Sequence, residues 1–290
     1  LDAMLIDLQL HSTYSDGYLT PTELVKFIAS KGVKTAALTD HNTVRGLDEF
    51  RRACRKFKIK PITGLELYVK LNHKKFNILW FNFNDKDPEL HNLLRTTQII
   101  RRNKARNILK KMEKIGYKIN HNKIIDKYNH YIPLNRLVDE IYSIPHNRAL
   151  TKKRIGIGDP REEELIREYF YNKKIGLLKE THISIERVLK LRKKIGGQII
   201  YNHPAKYDYV KRDFLLQLKK LKIDGMEILS PHHSIGAVMF LQSRAEKFKL
   251  IETGGSDFHK FEKNGGLIKN SWNYFKVDSK YLRGIEKIIG

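Results

Sequence analysis

The chain alternates short apolar strand patterns with amphipathic helix patterns in two separate blocks, and few folds accommodate this. In the first block, strand patterns at 4–10, 34–40, 59–71 and 76–83 are interleaved with two helix patterns. In the second block, at 183–290, the alternation returns. Such alternation is typical of parallel βαβ units. We therefore expect an α/β fold in which both blocks build one barrel-like domain.

The first helix has a start signal that can be read residue by residue. Thr20 has the residue type of an N-cap, and Pro21 suits the first helical position. Glu23 stands where its side chain can reach back to the N-cap backbone, as in a capping box. Gly32 follows the apolar pattern and is typical of a helix end. The sequence therefore predicts a helix between residues 21 and 31.

Between the two blocks the character of the chain changes. Residues 89–182 are strongly basic and read as helical, with few strand signals. No Gly/Ser-rich or Pro-rich linker marks either end of this segment. We therefore expect a barrel domain built from 1–88 and 183–290, with 89–182 inserted as a helical capping lobe.

Net charge and cysteine content indicate which partners and which cellular compartment suit this chain. The formal net charge is +24, which favours phosphorylated partners, although the lysines are scattered and also fit a plain compositional bias. Cys54 is the single cysteine, which excludes an internal disulfide and fits a reducing cytoplasm. No run approaches the roughly 18 apolar residues of a membrane span, and no secretory signal pattern is visible. We expect a cytoplasmic protein with no membrane partner.

Histidines and carboxylates recur where the predicted strands end. The carboxyl ends of barrel strands meet at one face, so these side chains are expected to converge. Each has a plainer explanation alone, such as a turn or an N-cap, but Glu66 lies inside an apolar run and a buried carboxylate needs a partner or a metal. Mixed imidazoles and carboxylates are ligands of Zn, Mn or Fe. The residues are His11, Asp16, Asp40, His41, Glu66, His203, His232, His233, Asp257 and His259.

In their order and spacing, these motifs resemble the PHP superfamily, the polymerase and histidinol phosphatase phosphoesterases. The resemblance covers nearly the whole chain and is carried by DLQLHSTYSDG, LTDHNTVRG, GLEL, YNHPAKY, ILSPHHS and TGGSDFH. It implies a distorted (β/α)7 TIM-like barrel with a site of two or three metals in its mouth. It also implies metal-dependent hydrolysis of a small phosphate monoester, such as a nucleotide phosphate.

The resemblance implies three metal positions, and two of them depart from the family pattern. Gln9 stands where the family has the first histidine of a His-x-His pair, and Asn77 replaces another family histidine. An amide oxygen is a weaker ligand for zinc than an imidazole and is more tolerable to Mn or Mg. The implied positions are Gln9, His11, Glu66 and Asp257; Glu66, Asn77 and His203; and Asp16, His41 and His259.

The resemblance also assigns further roles. Glu66 would bridge metals, His203 or His259 would orient the substrate side once bound to a metal, and Asp40 would orient His41. Lys206 would contact the phosphate and His233 would lie near the substrate, whereas His232 has no counterpart and reads as a turn residue. We expect one to three divalent ions per chain, Mn²⁺ first and Zn²⁺, Fe²⁺ or Mg²⁺ as alternatives.

Two other functions stay open at this point. Gln9 and Asn77 favour a degenerate barrel that binds a phosphorylated ligand or nucleic acid with little or no hydrolysis. The net charge gives weak support to a nuclease acting on DNA or RNA ends. Few aromatic residues are clustered in the basic segment, so stacking on single strands has little support.

Overall fold

The computed structural model describes residues 3–129, 131–207, 211–261 and 276–290. The chain divides into two compact units, Leu1–Leu90 with His182–Gly290, and His91–Thr181. The described helices include none that combines the length and the apolar character needed to cross a bilayer.

The first unit carries the strands that form one mixed sheet. Their bounds are β1 Leu5–Leu10, β2 Thr35–Leu38, β3 Lys60–Leu71, β4 Lys74–Phe81, β7 Ile183–Ser184, β8 Gln198–Tyr201, β9 Gly225–Leu229, β10 Ile251–Gly254 and β11 Val277–Asp278. The order is β10-β9-β8-β4-β3-β2-β1-β11, and β7 pairs with β3. Strands β1, β2 and β3 are parallel to one another, as are β8, β9 and β10.

Strand β4 runs opposite to both of its neighbours, β3 and β8. The hairpin with β3 follows from the polar turn at 72–75, and Tyr68 of β3 lies opposite Asn77 of β4. Because β4 is antiparallel to β3 and β8, its first residues lie at the end of the sheet where β3 and β8 finish. Asn77 therefore reaches the same end of the sheet as the residues that follow the parallel strands.

Strand β1 and the segment that follows β10 approach each other and nearly close the sheet. Leu10 forms a parallel bridge with Phe258, and the His11 amide donates to the Phe258 carbonyl at 3.1 Å. A Cβ at Gly255 would lie 2.5 Å from the Gln9 nitrogen, so this approach needs glycine. The expectation of an α/β, TIM-like barrel is confirmed.

Helices follow the strands of the first unit. Their bounds are α1 Pro21–Ser30, α2 Leu47–Phe57, α8 Ile185–Ile195, α9 Arg212–Lys220, α10 Ile235–Phe248 and α11 Glu286–Ile289, with short 3₁₀ turns at Pro204–Tyr207 and Ser279–Tyr281. Helix α1 begins as the sequence predicts, because Thr20 accepts from the Glu23 amide at 3.2 Å and Glu23 accepts from the Thr20 amide at 2.8 Å. Its buried residues include Leu24, Val25 and Ile28.

The second unit is mainly helical. Its elements are α4 His121–Asp126, α5 Leu134–Ser143, α6 Pro145–Ile155, α7 Glu162–Phe170 and a small hairpin of β5 Tyr171–Asn172 with β6 Gly176–Leu177; most of α3, Pro88–Lys114, also belongs to it. This unit has an apolar core of its own, which includes Leu109, Met112, Leu137 and Tyr169. That it caps the barrel stays a prediction.

Candidate metal centre

Four side chains that follow three different strands form a compact group, which we call the His41 cluster. It consists of His11, Asp16, His41 and His259, and one potential ligand atom from each lies within 4.8 Å of all the others. Asp16 lies at the centre, with its carboxylate oxygens 3.7 Å from His11 Nδ1, 3.5 Å from His41 Nε2 and 3.4 Å from His259 Nε2. Three imidazoles around one carboxylate form a ligand set suited to a divalent transition metal.

The loop after β1 is shaped to hold Asp16 in this group. Asp40 accepts hydrogen bonds from the Ser12 amide at 2.7 Å, the Ser12 hydroxyl at 2.6 Å and the Ser15 hydroxyl at 2.5 Å. A Cβ at Gly17 would lie 2.2 Å from the His11 carbonyl oxygen, so the loop can turn this tightly only with glycine. Asp40 therefore stabilises the loop that carries Asp16, through its hydrogen bonds with Ser12 and Ser15.

Glu66 and Asp257 extend the group on its inner side. His11 Nε2 lies 3.2 Å from Glu66 Oε2 and 3.1 Å from Asp257 Oδ1, and these three residues form a second potential ligand group. His203 Nε2 lies 3.4 Å from Glu66 Oε1. Their role as ligands is a proposal, but seven of the ten histidines and carboxylates expected to converge therefore lie together at one end of the sheet: His11, Asp16, His41, Glu66, His203, Asp257 and His259.

Two of these residues depend on an unusual backbone. His203 has φ +26° and Asp257 has φ +50°, both in the left-handed region that non-glycine residues rarely adopt. The buried carboxylate of Glu227 accepts from the His203 amide at 3.1 Å and helps to hold that turn. Backbone strain of this kind is found where a side chain must be aimed at a functional site.

Burial and charge act together on the titration of the cluster. Burial lowers the pKa of His11, but the carboxylates of Asp257 and Glu66, which lie 3.1 and 3.2 Å from its Nε2, outweigh the burial and leave that pKa well above its ordinary value. Burial raises the pKa of Asp16, yet the charges of His41 and His259 bring the net pKa far below the usual range. The carboxylates are therefore held ionised, the form that binds a cation.

The residues expected to touch substrate lie close by, with different exposure. Lys206 is exposed on the 3₁₀ turn after His203. Burial lowers the pKa of His203, and the charge of Lys206 adds to the lowering. His233 is engaged by backbone, since its Nδ1 lies 2.8 Å from the Ile228 carbonyl and its Nε2 3.5 Å from the Ala205 amide.

Three residues lie in the site although they are not assigned to it from the sequence. His232, which reads as a turn residue, lies with Nε2 2.7 Å from Asp257 Oδ2. Asn202 is buried and donates to Glu66 at 2.9 Å. Glu227 lies within the apolar run of β9, so the argument that singled out Glu66 would also have found it.

The two parts of the site differ in how well they fit a cation. The His41 cluster offers imidazole nitrogens and a carboxylate from separate loops, which fits a divalent ion. Glu66, in contrast, accepts hydrogen bonds from the side-chain amides of Gln9 at 3.4 Å and Asn77 at 2.5 Å. These N–H groups occupy the Glu66 carboxylate, so the second potential ligand group, His11 with Glu66 and Asp257, fits a further cation poorly.

Comparison with known proteins identifies a family model and several relatives that match most of this chain. Residues 7–181 match the model of the PHP domain. A 5'-3' exoribonuclease of Haemophilus influenzae is 30% identical, over 87% of this chain and 89% of that protein. A 3',5'-nucleoside bisphosphate phosphatase of Chromobacterium violaceum is 27% identical, over 88% of this chain and 87% of that protein.

Solved structures share the fold. A candidate metal-dependent phosphoesterase from Bifidobacterium adolescentis superposes with a TM-score of 0.72 at 18% identity, and covers 93% of this chain and 94% of that one. A protein described as an amidohydrolase from Chromobacterium violaceum gives 0.68 at 24% identity, covering 93% and 95%. The chain therefore belongs to the PHP domain family, among its phosphoric ester hydrolases.

Proposed function

We propose that this chain hydrolyses a small phosphate monoester, a nucleotide phosphate, at a divalent cation held by the His41 cluster. The observation that carries the proposal is the convergence of His11, Asp16, His41 and His259 from three strand ends on one point. A bound cation would polarise the phosphoryl group and offset its negative charge. Mn²⁺ suits the mixed nitrogen and oxygen ligands, with Zn²⁺, Fe²⁺ and Mg²⁺ as the alternatives to be compared.

The protein's own groups supply the remaining functions. Asp16, surrounded by three imidazoles, fixes their orientation. Lys206, exposed next to His203, is the candidate contact for a phosphate oxygen. Asp40 supports Asp16 through the serine hydrogen bonds of the loop. Positioning and electrostatics of this kind account for most of the catalysis in phosphoryl transfer.

A second candidate is the removal of nucleotides from the 5' end of RNA. It is favoured by the exoribonuclease relative, which is 30% identical over most of both chains. The net charge of +24 adds support, because a polyanion gains affinity from many basic side chains. Both candidates use the same cluster to hydrolyse a P–O bond, but the first cleaves a monoester and releases inorganic phosphate, whereas the second cleaves a diester and releases a nucleotide.

The experiment is a substrate panel with purified protein in Mn²⁺, repeated with the other three ions. The panel holds a nucleoside 3',5'-bisphosphate, a nucleoside 5'-monophosphate and a 5'-phosphorylated RNA oligonucleotide. Release of inorganic phosphate from a small ester is expected, whereas successive mononucleotides from RNA alone would favour the exonuclease. His41→Ala should abolish turnover, and His73→Ala, an exposed histidine of the β3–β4 turn, is the matched control. Tight binding of the esters without turnover under any ion would support the non-catalytic alternative and contradict the proposal.

A further inference from the structure

Glu66 is enclosed by three buried amide side chains, which we call the amide cage. Asn77 Nδ2 donates to Glu66 Oε1 at 2.5 Å, and Asn202 Nδ2 donates to the same oxygen at 2.9 Å. Gln9 Nε2 donates to Glu66 Oε2 at 3.4 Å. All four side chains are at most 4% exposed, so water does not compete for these bonds.

The direction of the amides is set by the carboxylate. Turning an amide over would place its oxygen against a negatively charged oxygen in a buried site, which is unfavourable. The present direction leaves Gln9 Oε1 and Asn202 Oδ1 buried with no hydrogen-bond partner among the described residues. The amide N–H groups therefore face Glu66, and these two acceptors stay unsatisfied.

The cage also uses most of the carboxylate's capacity. A carboxylate offers about four lone-pair positions. Three amide N–H groups face the two oxygens, and His11 Nε2 and His203 Nε2 lie 3.2 and 3.4 Å from them. A cation bridged by Glu66 would have to displace the three amide N–H groups and turn amides over to present oxygen, a weaker ligand than imidazole.

The His41 cluster has no comparable obstacle. Asp16 faces imidazoles and the Ser15 hydroxyl, and the nitrogen of a neutral imidazole is itself a metal ligand. The two parts of the site therefore differ, because Asp16 faces imidazoles and a hydroxyl, whereas Glu66 accepts N–H groups from three side-chain amides.

We infer that this chain holds a single divalent cation, at the His41 cluster, and that the amide cage of Gln9, Asn77 and Asn202 takes the place of further cations at Glu66. Glu66 then anchors the centre through hydrogen bonds and does not bridge metals. The inference rests on the proposed cation site of the proposed function but not on the proposed reaction. Its readout is the number of ions, so a protein with one ion and no turnover would contradict the proposed function alone.

The first test uses the unmodified protein, loaded with Mn²⁺ and passed through a desalting column. Elemental analysis should find about one Mn per chain, and electron paramagnetic resonance should show the spectrum of an isolated ion. Two or three retained ions, or the spectrum of a spin-coupled pair, would overturn the inference.

The second test removes the cage. The variant Gln9→His/Asn77→His/Asn202→Ala should retain at least one more Mn per chain than the unmodified protein. The control is Asn92→His, an exposed change of the same type on α3, which should leave the count unchanged. Circular dichroism shows whether the triple variant folds. If it does not fold, the electron paramagnetic resonance spectrum of the unmodified protein decides between one ion and several. A folded triple variant that still holds one ion would overturn the role assigned to the amides.

Discussion

Asp16 Oδ2 lies 3.5 Å from His41 Nε2 and so joins the loop after β1 to the end of β2. Neither loop is regular, yet both are fixed by buried hydrogen bonds, from Ser12 and Ser15 to Asp40 and from the Asn42 amide to the Glu66 carbonyl. A ligand group assembled this way is in place before any ligand arrives, which lowers the ordering cost of binding.

Removing the support beneath Asp16 should affect both stability and metal binding. In Asp40→Ala, three buried donors lose their acceptor, so we expect a loss of roughly 2–4 kcal/mol in the free energy of unfolding. Mn²⁺ affinity should fall as well, because the Asp16 loop is released. Urea unfolding measures the first effect and calorimetric titration the second. Asp48→Ala, which removes an exposed surface carboxylate, should cost at most about 1 kcal/mol and leave metal affinity unchanged; equal effects of the two changes would refute the role of Asp40.

Glu227 should make the metal-free protein less stable as the pH rises. Burial raises the pKa of Glu227 well above its ordinary value, and the charge of Asp257 adds to this. The native state then keeps a proton that the unfolded chain releases above about pH 4.3. Stability is therefore lost as the pH rises from there toward the native pKa.

Glu227→Gln removes this loss, since its side chain is neutral in both states. In EDTA, the variant should gain roughly 1 kcal/mol or more over the unmodified protein between about pH 4 and pH 8. Thermal unfolding across that range measures the difference, with the exposed Glu286→Gln as control. A difference that does not change with pH would show that Glu227 titrates normally.

Lys206 should contribute to substrate affinity more than to turnover. An exposed amine in contact with a phosphate adds a modest electrostatic term, so Lys206→Ala should raise KM by roughly 2- to 10-fold with kcat nearly unchanged. Steady-state kinetics with a nucleotide ester distinguish the two constants. Lys220→Ala, an exposed lysine at the end of α9, should change neither; an unchanged KM in Lys206→Ala would remove Lys206 from the site.

Cys54 should take no part in the chemistry. It is fully buried on α2, and burial raises the pKa of its thiol to about 12. The native protein should therefore not react with a thiol reagent at neutral pH, and full reaction should follow in guanidinium. Rapid stoichiometric labelling of the folded protein would show that α2 opens readily.

Much of this centre could be predicted because its residues follow strands with clear patterns. The capping box of α1 and the hairpin of β3 and β4 were local signals of the same kind. Asn202 could not be recognised, because an amide at a strand end is ordinary until its partner is known. The sequence favours a turn residue at His232, since the contact of its side chain with Asp257 depends on the packing of two separate loops.

The central claim is that Asp16 and its three imidazoles bind a divalent cation, and calorimetric titration of Mn²⁺ into EDTA-stripped protein tests it most directly. The unmodified protein should bind the ion, and Asp16→Asn, which keeps the shape of the side chain but loses the charge, should bind it at least about 10-fold more weakly. Circular dichroism should show both proteins equally folded. Equal Mn²⁺ affinity of the two proteins would contradict the account.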